Sequence, residues 1–213
     1  DGVLAKNGRG HTFADTRRAS ALIRERGFSL GLQMMTGLPG SDREKDLQTA
    51  RDFILLGPET VRVYPALVLD HTPMARLWRE GNYRPQTLEE AASLCAELLE
   101  LFEEAGIRVI RAGLHAEPSL EKNLLAGPYH PAFREIAEGL RFYQKITPEI
   151  LKYPEGALAV AVNPSEHSKA AGHKRANLIS WKAAGYGVRI LDDDALPRGK
   201  FMIRPPETTM IRK

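Results

Sequence analysis

The chain has 213 residues, 43% apolar and 27% charged, and its 30 basic against 27 acidic side chains leave a net charge of +3. These ordinary globular values exclude a wholly disordered or collagen-like chain, and no apolar run reaches the roughly 18 residues needed to cross a bilayer. A single cysteine excludes an internal disulfide framework, and any Cys-ligated cluster or zinc site built by this chain alone. The first residues show no basic segment followed by an apolar stretch, so no export signal is visible and a cytoplasmic, reducing setting is expected. The net charge is too small to imply nucleic acid, so any basic patch has to come from local distribution.

Up to about Gly113 helical and strand periods alternate, as in βαβ units with a parallel sheet. Thr12 caps a first helix with Asp15 three residues on, Ala19, Leu22 and Ile23 as its buried stripe and Gly27 as its stop. The stretch 28–35 reads as a strand, with Phe28, Leu30, Leu32 and Met34 on one face and Ser29, Gly31, Gln33 and Met35 on the other. After Gly37-Leu-Pro-Gly40, Ser41 and Glu44 stand in capping-box spacing before a helix that buries Leu47, Ala50 and Ile54 and ends at Gly57-Pro58. Residues 61–64 repeat the strand logic, Val61 and Val63 opposite Arg62 and Tyr64. Thr87 with Glu90 opens a longer helix whose stripe is Ala91, Leu94, Cys95, Leu98, Leu101, Phe102 and Ala105, closed by Gly106 before a third strand over 107–110.

From Gly113 to about Tyr153 the chain is less periodic, with a turn-rich Gly127-Pro-Tyr-His-Pro131 and a helix through Phe133 and Leu140. Pro154-Glu-Gly156 reads as a boundary. Beyond it come a strand over 157–162, a short helix over 164–170, a turn over 172–175, a helix over 176–183, a strand over 188–191 and a further strand over 201–203. The expected division is therefore 1–114, a helical extension over 115–154 and a small basic α/β unit over 155–213.

Asn7-Gly-Arg-Gly-His-Thr12, Gln33-Met-Met-Thr-Gly-Leu-Pro-Gly40, Arg62-Val-Tyr-Pro-Ala-Leu-Val68 and Leu77-Trp-Arg-Glu-Gly-Asn-Tyr83 occur in that order. Together they resemble the radical-SAM domain of the elongator catalytic subunit and its bacterial relatives, over roughly Asp1 to Leu114. The oxygen-independent coproporphyrinogen oxidases are similar over the first two motifs. The resemblance implies an α/β fold in which this chain is the later part of a (β/α) TIM-type barrel, followed by the small α/β unit. It also implies S-adenosylmethionine and a [4Fe-4S] cluster in the intact parent. Family members hold that cluster with three cysteines in a Cys-x3-Cys-x2-Cys loop, whereas this chain offers only Cys95, on the apolar stripe of a helix. No cluster is expected on this chain alone, and a missing N-terminal half of the same protein is expected to carry it.

The same resemblance places Arg9 near the carboxylate of S-adenosylmethionine, where a guanidinium can donate two parallel hydrogen bonds; the plain alternative is a surface loop arginine. It places Gln33 at the ribose, with a lumen amide satisfied by a neighbour as the alternative, and Gly37, Tyr64 and Ala66 on the adenine side. Gly-Leu-Pro-Gly read without the family is a strand-to-helix turn, and Tyr64 a lumen packer. Arg111, at the end of the third strand, suits an anionic substrate or cofactor group, or solvent.

Six histidines show no helix-spaced pair, and His115 with Glu117 is too short a constellation for a metal site. No metal ligands and no catalytic residue are assigned. In the tail, Lys169, His173, Lys174 and Arg175 lie in a locally basic stretch, and the β-α-α-β order with Gly172-His-Lys-Arg175 between its helices is similar to a KH module. The second glycine of the KH loop is Arg175 here. Such a stretch suits RNA, or is simply a solvated face. The expected function is thus the C-terminal part of a radical-SAM enzyme acting on a substrate such as tRNA, inactive alone. The alternatives are an RNA-binding module on a barrel-remnant scaffold and a porphyrin-type radical-SAM oxidase. No membrane partner is expected.

Overall fold

The structure, a computed structural model, describes residues 1–205. The chain divides into two compact units, Asp1–Arg134 and a second beginning at Glu135. Among the described residues no helix is long and apolar enough to cross a membrane.

The first unit runs α1 (Gly2–Lys6), α2 (Phe13–Glu25), β1 (Gly31–Thr36), α3 (Arg43–Leu56), β2 (Thr60–Pro65), β3 (Val68–Leu69), α4 (Pro73–Arg79), α5 (Leu88–Glu104), β4 (Arg108–Ala112), α6 (Pro118–Asn123) and β5 (Leu124–Ala126). Strands β1, β2 and β4 form a parallel sheet in that order, and β3 and β5 a separate antiparallel pair. Helices α3 and α5 pack on each other, α3 also on β1 and α5 on β4. The core they share contains Ala50, Phe53, Val61, Val63, Leu94, Leu98 and Phe102, all buried.

Two helix starts follow the sequence expectation. Thr12 and Asp15 form a reciprocal capping box, as do Thr87 and Glu90, each satisfying two N–H groups that a helix start leaves open. The start of α3 differs. Ser41 donates to Asp46 Oδ1 (2.6 Å), and Asp42 takes the cap, accepting from the Lys45 N–H at 2.9 Å. The apolar stripe of α2 also departs from expectation: Leu22 is 52% exposed, Ile23 36%, and only Ser20 in this helix is buried. The sheet order supplies the reason, because β1 is an edge strand and no described strand lies beyond it for α2 to cover. Phe28, expected in the strand, is 70% exposed ahead of it for the same reason.

The turn that joins β1 to α3 is held from both sides. Gly37, at φ 70, donates its N–H to Asp46 Oδ2 (2.9 Å), while its carbonyl accepts from the Tyr83 hydroxyl (2.6 Å). A Cβ at Gly37 would lie 2.5 Å from Gln86 Oε1 and would displace that flexible side chain, so the positive φ is the firmer reason for glycine here. Burial pushes the Asp46 carboxyl pKa up, opposed by the hydrogen bonds from Ser41 and Gly37. Burial, with the neighbouring Asp46 charge, pushes the Tyr83 phenol up to about 12.

Helix α7 (Phe133–Ile150) begins in the first unit and continues into the second, so the division falls inside it and the segment 115–154 is shared between units. The second unit continues with β6 (Gly156–Val162), α8 (His167–Ala171), α9 (Ala176–Ala183), β7 (Tyr186–Asp192) and β8 (Phe201–Arg204). Its sheet order is β7-β6-β8, with β6 parallel to β7 and antiparallel to β8. Phe142, Ile146 and Ile150 from α7, Trp181 from α9 and alternate residues Leu158, Val160 and Val162 of β6 share one core. Trp181 stacks on Tyr143 with ring centroids 5.6 Å apart and donates its indole N–H to Thr147 Oγ1 at 2.9 Å. Buried Asn177 ties the helices together, its amide donating to Gly139 O (2.8 Å) and Ala170 O (3.0 Å).

Two stability outcomes follow from these contacts. Asn177→Ala removes a buried donor from two carbonyls and is expected to lower unfolding free energy by about 1–3 kcal/mol in urea titration; a loss under about 0.5 kcal/mol would contradict the tie. For Asp46, a raised folded pKa means that the folded chain holds the proton more tightly than the unfolded one. Its stabilising contribution is therefore greatest at low pH and is lost as pH rises through the folded value. The urea midpoint of the native chain should fall relative to Asp46→Asn as pH is raised from the carboxylate range to neutrality, and a pH-independent difference between the two would refute this.

Candidate functional site

Strand β2 lies in the middle of the first sheet, and its buried Val61 and Val63 face the helices, so Arg62 and Tyr64 must face the other way. Register then decides what stands beside them. Gly31, Thr60 and Arg108 form one row across the three strands, Gln33, Arg62 and Arg111 the next, and Met35 pairs with Tyr64 beyond. Between Val61 and Arg62 the partner on β4 jumps from Val109 to Arg111, leaving Ile110 as a bulge residue. The bulge keeps Val109 and Ala112 buried while Arg111 shares the open face with Arg62.

No acidic residue occupies these strand positions. Gln33, Arg62 and Arg108 are exposed, and Tyr64 and Arg111 are half-buried. The Arg111 guanidinium meets the ring nitrogens of His115. Arg9, from the loop after α1, reaches the same face, with Nη2 3.3 Å from Met35 Sδ. The structure thus brings Arg9, Gln33, Tyr64 and Arg111 together. Gly37 and Ala66 stand differently, since both polar groups of the Gly37 backbone are occupied within the turn. Ala66 is 2% exposed and donates its N–H to Thr36 O at 2.9 Å.

Arg62 and Arg108 were not singled out as site residues from sequence. The alternation of 61–64 already turned Arg62 away from the core, but its neighbours on β1 and β4 depend on register, which the bulge resets.

In the second unit the four basic candidates separate into two pairs. Lys169 Nζ lies 3.7 Å from Glu138 Oε2, and His173 Nδ1 lies 3.3 Å from Glu135 Oε2, both acids on α7. Lys174 and Arg175 are exposed and hold φ of 51° and 62°, a left-handed conformation rare for residues with side chains.

An iron-sulfur cluster does not fit the residues present. Cys95, the sole cysteine, is buried in α5, and among the described residues no group of three or more His, Cys, Asp or Glu could hold a metal. A nucleoside cofactor fits better, because the open face offers a guanidinium at Arg9, an exposed amide at Gln33 and an aromatic ring at Tyr64.

The Radical_SAM C-terminal domain family matches residues 58–141. The tRNA uridine(34) acetyltransferase of Methanocaldococcus jannaschii is 35% identical over 89 residues, 40% of this chain and 16% of that protein. The Elongator complex protein 3 of Mus musculus is 29% identical over 102 residues, 46% of this chain and 19% of that protein. The alignments thus span less than a fifth of each of these two curated relatives. The archaeal Elp3 of Methanocaldococcus infernus, solved with an N-terminal deletion, superposes with a TM-score of 0.59 at 23% identity, covering 70% of this chain and 34% of that one, which shows a shared fold. Residues 58–141 thus match the C-terminal domain family of radical-SAM proteins, and the chain is similar in sequence to elongator-type proteins over less than half of its length.

Proposed function

We propose that this chain is the cofactor-orienting and RNA-binding part of a radical-SAM enzyme that modifies tRNA, with the first unit contributing the later strands of a (β/α) barrel. The observation that carries the reading is the open face of the first sheet, where Arg9, Gln33 and Tyr64 converge from three separate segments. Arg9 would pair with the carboxylate of S-adenosylmethionine, and Gln33 would donate to and accept from its ribose hydroxyls. In this family S-adenosylmethionine supplies a 5′-deoxyadenosyl radical that abstracts hydrogen from the substrate. The residues here hold and orient it and exclude water, and they take no part in its reductive cleavage because the thiolates for a cluster must come from outside this sequence.

The tRNA reading draws on the names of the relatives and on Lys174 and Arg175, two exposed cations on adjacent left-handed residues. The β-α-α-β order of the second unit supports a KH-like role for that turn, with Arg175 in place of the second loop glycine.

After anaerobic treatment with iron and sulfide, this chain is expected to yield no 5′-deoxyadenosine from S-adenosylmethionine, yet to bind the cofactor in calorimetry. Arg9→Ala should weaken that binding about 10- to 100-fold, the range for a charged hydrogen-bond partner. Cofactor binding indifferent to Arg9 would overturn the assignment. Lys174→Glu with Arg175→Glu should weaken tRNA binding about tenfold or more at low salt, with a shallower salt dependence; unchanged binding would remove the tail from the RNA surface.

A further inference from the structure

Several other arginines of the first unit meet carboxylates: Arg43 pairs with Glu97, Arg51 with Glu44, Arg79 with Asp70 and Arg84 with Glu90. Those on the open sheet face do not. Arg62 and Arg111 are register partners on adjacent strands, and strands lie about 4.8 Å apart. Two like charges placed so close on one face repel each other and destabilise the sheet. Arg108 adds a third positive charge one row away, about 6.6 Å along the strands at ~3.3 Å per residue. Among the described residues, the partner of this trio is a histidine ring, at Arg111. An anion between the two guanidinium groups converts the repulsion into attraction, and the planar fork of arginine matches the oxygens of a phosphate.

The ring of Tyr64 lies two residues along β2 from Arg62, on the same face. Cations that track a backbone beside an aromatic surface for a base are what single-stranded nucleic acid requires. We infer that Arg62 and Arg111 clamp a backbone phosphate of a single-stranded RNA segment, with Tyr64 flanking the adjoining base. The clamp rests on the tRNA reading above, and belongs to the first unit, whereas Lys174 and Arg175 belong to the second. It places the nucleotide on the same sheet face as Gln33 and Arg9, so a base held there stands beside the cofactor groups rather than at the tail.

The test is fluorescence anisotropy of a labelled single-stranded oligoribonucleotide with the whole chain at several salt concentrations, each variant first checked for native melting. Arg62→Ala with Arg111→Ala should weaken binding at least tenfold. It should also lower the slope of log affinity against log salt by about 0.7, the value for one phosphate of a single strand. Restoring charge with Arg62→Lys and Arg111→Lys should recover most of the slope but not all of the affinity, because lysine lacks the fork. Tyr64→Ala should weaken binding with the salt slope unchanged. If Lys174→Glu with Arg175→Glu abolishes binding and the Arg62/Arg111 variant does not alter it, the tRNA reading stands and the clamp is overturned. If the native chain binds no oligoribonucleotide, both fail. If poly-glutamate of equal charge competes as well as RNA, the face is a general anion surface and the nucleotide assignment is overturned.

Discussion

The alternation of side chains along β2 is the constraint on which the first unit turns. Val61 and Val63 are buried between sheet and helices, and at 25 cal/mol per Å2 of apolar surface two valines contribute about 3 kcal/mol or more. That burial fixes which way the strand faces. Once it is fixed, Arg62 and Tyr64 have no route to the helix side, and parallel pairing on both edges carries their orientation to Gln33 on β1 and to Arg111 on β4. The polar face is thus a by-product of apolar packing on the opposite side of a sheet only one residue thick.

The turn after β1 shows how rigidly the C-terminal end of that sheet is held. Asp46 reaches back from α3 to take the Gly37 N–H, Tyr83 reaches in from beyond α4 to the Gly37 carbonyl, and Asn7 donates to Pro39 O at 2.9 Å. Three separate segments converge on four residues. Sites placed on such elements keep their geometry better than sites on free loops. The second unit uses a comparable device: Asn177 binds carbonyls of α7 and α8, and Gly139 permits an approach to Gly172 that a Cβ would narrow to 3.0 Å.

Much of the fold was legible because it is local. The Thr12–Asp15 and Thr87–Glu90 boxes depend on four consecutive residues, and the stripe of α5 on a period of 3.6, so both can be read without a partner. The expected Ser41 cap failed because the hydroxyl had a better acceptor, a carboxylate five residues on whose own burial requires donors. The expected burial of Leu22 and Ile23 failed because periodicity marks an apolar face without saying what covers it. At the site, Arg9, Gln33 and Tyr64 were reached from motif resemblance and Arg111 from its place at the end of a strand, and the structure sets them on one face. Arg62 belongs with them by register, and register across a crossover of more than forty residues, with a bulge in it, leaves no mark in the sequence.

That bulge has a bearing on how such a face changes chemistry. With unbroken pairing after Val61, Arg62 would stand beside Ile110, and Arg111 would turn toward the helices. Closing the bulge by a shift of pairing, with every residue retained, would therefore replace a basic neighbour of Arg62 by an apolar one, whereas deleting Ile110 would leave Arg111 beside Arg62 in an unbroken ladder. In a sheet of this kind a shift of register alone changes which side chains meet on the open face, without any substitution.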